Sequence, residues 1–76
     1  LDPINVKVDK KEMTLIQKEE ELTGKVPNHF EKTTVKINDK DVLAYQNKVL
    51  KLTIVALKDS KGNINFYEYK NNNYKL

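Results

Sequence analysis

The chain has 76 residues, no cysteine, 38% hydrophobic and 33% charged residues, and a net charge of +3. That length holds one domain with a stability of about 3–5 kcal/mol, and without cysteine it has neither a disulfide staple nor a thiolate metal site. Its eleven acids are interspersed with fourteen lysines, so no one-signed cluster is available to grip an anionic membrane or a nucleic-acid backbone.

Ile4-Asn5-Val6-Lys7-Val8 alternates apolar and polar residues, the period of a half-buried strand. Asp9 stands three residues before Glu12, a helix-capping spacing. A helix is therefore predicted from about Lys10 to Thr23, with Gly24 as its left-handed cap and Pro27 beyond. Leu15, Ile16 and Leu22 share its apolar side, Met13 sits at the edge, and Glu19 interrupts the stripe. A strand through Met13 to Ile16 is the competing reading. Val26 to Lys32 reads as loop, broken by Pro27 and Asn28.

Thr33 to Ile37 and Val42 to Tyr45 alternate around Asn38-Asp39, a two-residue hairpin signal because both side chains tolerate positive φ. That register sets Val35 opposite Val42 and Lys36 opposite Asp41, a favourable charge pair. Leu50 to Leu57 is the most apolar run and reads as the central strand. Asp59 to Gly62 is a type I turn with a glycine bulge, and Ile64 to Tyr69 returns. With Asp59 opposite Asn63, Leu52, Ile54, Ala56, Ile64 and Phe66 share one face. Thr53, Val55, Leu57, Tyr67 and Tyr69 share the other. Asn71 to Asn73 is a turn, and Tyr74 to Leu76 starts a short strand.

The predicted fold is α+β: a small antiparallel β-meander of four to five strands with one N-terminal helix packed on one face. Leu52, Ile54, Ala56 and Phe66, with Val35 and Ile37, are the expected core. Residues 1–76 form a single domain. The chain begins at Leu1 rather than Met and ends while reading as strand, which points to a piece excised from a larger protein.

The residue inventory argues against catalysis. His29 is the sole neutral-pH acid or base, Ser60 sits at a turn tip, and Glu19, Glu20 and Glu21 point to different sides of the predicted helix. Asp59 to Asn63 lacks the alternating ligands and terminal glutamate of a calcium loop. Two glycines leave no phosphate-cradling loop. No catalytic residue, metal or cofactor is expected. The one unusual surface is the tyrosine-rich last fifth. Tyr67 and Tyr69, with Val55 and Leu57 beside them and Lys51 and Lys70 at the edge, form the candidate contact surface. Tyrosine rings offer flat apolar contact with a polar tip. If the helix covers this face, the rings are core rim instead.

Val26-Pro27-Asn28-His29-Phe30-Glu31-Lys32-Thr33-Thr34-Val35-Lys36-Ile37-Asn38-Asp39-Lys40 resembles small extracytoplasmic β-rich modules of clostridial and other low-G+C Gram-positive envelope proteins. In these, a proline-and-aromatic loop leads into T-x-V-x-I-D-G-K. Phe66-Tyr67-Glu68-Tyr69 resembles their later F-Y-x-Y-D run. Here Asp39 replaces the turn glycine and Lys70 the final aspartate. The resemblance covers about fifty residues, Val26 to Leu76, and implies no activity. It implies an extracytoplasmic or cell-surface setting, and the Lys- and Asn-rich, arginine-free composition fits an A+T-rich bacterial source. A cytoplasmic setting stays open, and so does a membrane anchor elsewhere in the parent protein.

The expected function is a non-catalytic interaction module of a bacterial cell-envelope or secreted protein, binding protein or glycan. The alternatives are a structural spacer without ligand, or a weak single-stranded nucleic-acid binder. Lys51 and Lys70 flank the rings, but there is no arginine for base readout, so nucleic acid is the weaker expectation.

Overall fold

The computed structural model describes residues 3–75; the expected strand residue Leu76 lies outside them. Seven antiparallel strands make one sheet: β1 (Asn5–Val8), β2 (Lys11–Leu15), β3 (Glu31–Ile37), β4 (Lys40–Asn47), β5 (Leu52–Lys58), β6 (Ile64–Lys70) and β7 (Asn73–Lys75). The expected α+β fold is overturned. Among the described residues there is no α-helix, only a 3₁₀ turn at Glu19–Leu22, and the strands number seven rather than four or five.

Turn chemistry explains the error. Asp9 and Lys10 have φ of 51° and 68°, whereas a helix N-cap needs an extended backbone. The pair closes a hairpin in which Val8 faces Lys11 and Val6 faces Met13, so Met13 to Leu15 belongs to a strand, as in the competing reading. The apparent helical stripe serves two layers: Leu15 joins one hydrophobic cluster and Ile16 another. Asn38-Asp39 (φ 54° and 62°) and Asn71-Asn72 (φ 52° and 64°) close two further hairpins in the same way. Both turn positions with positive φ match the right-handed twist of the flanking strands.

Lys10 is the costliest of these residues, because its side chain cannot hydrogen-bond locally as Asn or Asp does. Lys10→Gly is expected to stabilise the domain by about 1 kcal/mol. Thermal melting followed by circular dichroism should then show Tm rising by about 4–8 °C.

The later registers agree with the sequence. Val35 faces Val42 and Lys36 faces Asp41. In the β5–β6 turn, Asp59 N–H donates to the Asn63 carbonyl at 2.9 Å and Gly62 N–H to the Asp59 carbonyl at 3.0 Å, with Gly62 at φ 89°. The Asp59 carboxylate accepts the Asn63 and Lys61 amides, each at 2.9 Å. These bonds, that of Asn63 first, hold its pKa below the ordinary 3.8. Val55 consequently faces Tyr67 and Ala56 faces Phe66.

β5 is a fork. One edge carries β6. The other carries β4 against Leu52–Ile54 and then β2 against Leu57–Lys58. Ile16 N–H extends the second branch by donating to the Ala56 carbonyl at 3.0 Å. The two hairpins that share this edge diverge and enclose an inner core. Ile4, Val8, Met13 and Leu15 come from the first, Ile37, Val42 and Ala44 from the second, and Val55 and Leu57 from the fork itself. An outer cluster lies on the opposite face, where Ile54, Ala56, Leu43 and Tyr45 are covered by Ile16, Leu22, Val26 and Phe30. The irregular stretch between β2 and β3 thus does the covering expected of a helix. Alternation along β4 and β5 feeds both clusters. The expected core therefore divides: Ile54 and Ala56 are buried in the outer cluster, Ile37 is buried in the inner one, and Leu52, Val35 and Phe66 are only half-buried.

Candidate functional site

The tyrosine face expected as a contact surface is the inner wall of the fold. Val55 is 0% exposed and Leu57 1%, so neither offers area to a ligand. Tyr67 and Tyr69 are half-buried and pack on the inner cluster together with Tyr74. Tyr69 and Tyr74 rings lie 5.2 Å apart, and the Tyr69 hydroxyl donates to Asn72 Oδ1 at 2.8 Å. Burial, and next the nearby Tyr69, pushes the Tyr74 hydroxyl pKa up. Lys51 and Lys70 are exposed at the same end of β5 and β6. A cleft of about 330 Å³ opens beside these rings, lined by Val6, Ile37, Asn38, Tyr69, Asn72 and Tyr74 among others. It is the mouth of the inner core, and Asn5, Lys7, Asn38 and Asn72 make its lining largely polar.

The surface that stands out lies elsewhere. The sequence reading placed Leu50 in the central strand, but β5 starts at Leu52, and residues 48–51 form the β4–β5 turn. Val49 is 90% exposed and Leu50 60%. They are the exposed large hydrophobic residues among those described. The two are adjacent and border a groove. The groove, about 530 Å³, is lined by His29, Phe30, Glu31, Asn47, Lys48, Val49 and Leu50.

The turn is built rather than slack. Asn47, the one buried polar residue among those described, accepts the Leu50 N–H on Oδ1 at 2.9 Å. Lys51 takes φ 57° to re-enter the sheet. Lys48 Nζ lies 3.9 Å from Glu31 Oε2, an exposed pair that ties the turn weakly to β3. On the facing side, His29 at φ 72° turns the chain so that Phe30 packs against the outer cluster while still lining the groove. The product is an apolar tip beside an aromatic-floored groove with polar ends. Such a surface could take up an apolar side chain, with His29, Glu31 and Lys48 at its rim.

Sequence reasoning missed Val49 and Leu50 because they continue an apolar run. The signal that separates them is Asn47-Lys48 ahead of them, a turn-former that ends β4. Among the described residues no group of three or more His, Asp or Glu side chains is placed to hold a metal. Comparisons with protein-family models, curated proteins and solved structures find no match to this chain.

Proposed function

We propose that the domain is a non-catalytic interaction module that binds a protein partner through the Val49–Leu50 tip and the groove floored by Phe30. The observation that supports this is the exposure of two adjacent aliphatic side chains on a turn held by a buried asparagine. An unstable turn would expose such residues by accident; a hydrogen-bonded one presents them in a fixed geometry, which lowers the entropy lost on binding. A protein fits better than a glycan, because sugar recognition needs open aromatic faces and the tyrosines here are half-buried. A bacterial envelope or secreted parent protein is part of the same proposal, and it is supported by the resemblance of Val26–Lys40 and Phe66–Tyr69 alone.

The test is a ¹⁵N NMR titration with two probes, the blocked tripeptide Leu-Phe-Leu and chitotriose. The tripeptide is expected to shift amides at residues 29–31 and 47–50, and Val49→Ser with Leu50→Ser to abolish those shifts in a domain with unchanged far-UV circular dichroism. Chitotriose shifts centred on Tyr69 and Tyr74 would move the site to the inner mouth. Tripeptide shifts that survive in the double variant would remove Val49 and Leu50 from it.

A further inference from the structure

β3 is the longest free edge of the sheet, seven residues paired only with β4. Its register fixes which backbone groups are unused. Ile37 and Lys40 flank the two-residue turn as a mutually hydrogen-bonded pair, so Val35, Thr33 and Glu31 also bond to β4. Lys32, Thr34 and Lys36 direct their N–H and C=O groups away from the sheet. All three residues are exposed, and no backbone hydrogen bond from another described segment reaches them.

Side chains on this edge are selective. Lys32, Thr34 and Lys36 lie on one face, and Val35 lies half-buried on the other. If two copies paired antiparallel through Thr34, Lys32 of each would oppose Lys36 of the other. Two like-charge cross-strand pairs disfavour that register, a recognised guard against edge-to-edge association. The same lysines favour a strand with acids at those two positions. Lys32 already meets Glu19 Oε2 at 3.0 Å, and Lys36 makes no ion pair with Asp41 within 4 Å. Among the described residues, an incoming carboxylate therefore meets one ammonium already paired and one that makes no ion pair.

We propose that β3 is a strand-addition site for an extended acidic peptide, in which two Glu or Asp residues four apart oppose Lys32 and Lys36 and apolar residues alternate with them beside Val35. Main-chain bonds supply affinity and the lysines set register and sign. The inference rests on the reading of the domain as a binding module but uses a different surface, so the two fail separately. Signals at residues 47–50 report the groove, and signals at residues 32–36 report the edge.

The probe is the blocked nonapeptide SVEVTVEVS, with SVKVTVKVS as its control. The acidic peptide is expected to bind at least ten times more tightly, and to slow amide exchange at Lys32, Thr34 and Lys36 by at least about tenfold. Thr34→Pro removes an outward N–H, which an edge strand tolerates, and should abolish binding. Lys32→Glu with Lys36→Glu should reverse the preference toward the lysine peptide, a readout independent of whether the proline variant folds. Equal binding of both peptides, protection mapping to β1 or β7, no binding, or a wild-type dimer joined through β3 in solution each overturns the proposal.

Discussion

Leu57→Ala is expected to leave the domain predominantly unfolded at 25 °C. Leu57 is among the largest fully buried side chains, and it sits at the fork of β5, opposite Leu15 on one side and Asn65 on the other. Truncating a buried leucine costs about 2–5 kcal/mol, the transfer term plus the residual cavity. A domain of this size holds only about 3–5 kcal/mol in total. The cavity would open where two diverging hairpins meet, and closing it would require both branches to move. Urea denaturation of Leu57→Ala beside Leu57→Met separates the causes: the near-isosteric methionine should lose under about 1.5 kcal/mol. Equal losses in the two variants would show that the position is insensitive to volume and that the inner core is arranged differently.

Leu22→Ala is expected to cost about 2–5 kcal/mol as well, although Leu22 belongs to no strand. It is the buried residue of the 3₁₀ turn and packs in the outer cluster with Ile16, Leu43, Tyr45, Ile54 and Ala56. A surface loop of ordinary character would lose less than about 0.5 kcal/mol on such a change. The outcome also has a local signature. Tyr45, whose ring meets Phe66 edge-on at 6.4 Å, lies under the same cover, so near-UV circular dichroism should weaken along with the melting temperature. Loss of amide protection confined to residues 16–30, with the strands unaffected, would identify the stretch as a separately opening unit.

The strands after residue 30 were legible because their turns name themselves. Asn38-Asp39 and Asp59 to Gly62 use side chains suited to the required backbone, and each turn fixes a register that alternation then confirms on both faces. The strand at Asn5–Val8 was legible too, from its alternation, but the stretch from Asp9 to Thr23 was misread for a matching reason. Lys10 occupies a left-handed position where glycine or asparagine is usual, so the hairpin at Asp9-Lys10 carries a helix-cap spacing instead of a turn signature. Leu15 and Ile16 are adjacent and both buried because the strand ends between two cores, and adjacent apolar residues read as a helical face. Val49 and Leu50 were hidden by continuity with β5; the turn-forming Asn47, which accepts the Leu50 N–H three residues on, is the local signal that the chain has left the sheet there. The tyrosines were placed on the correct face, but which side of a sheet becomes the interior depends on how the two hairpins close, and no local pattern encodes that.

The fork in β5 also orders assembly in time. The β3–β4 and β5–β6 hairpins close through turns of a few residues, events that take microseconds. Joining β2 to β5 instead brings together Leu15 and Leu57, roughly forty positions apart, and pays a larger loop-closure entropy before any contact rewards it. The first hairpin is therefore expected to dock last, and until it does Val55 and Leu57 lack the cover of Ile4, Val8, Met13 and Leu15, which leaves part of β5 available to any chain nearby.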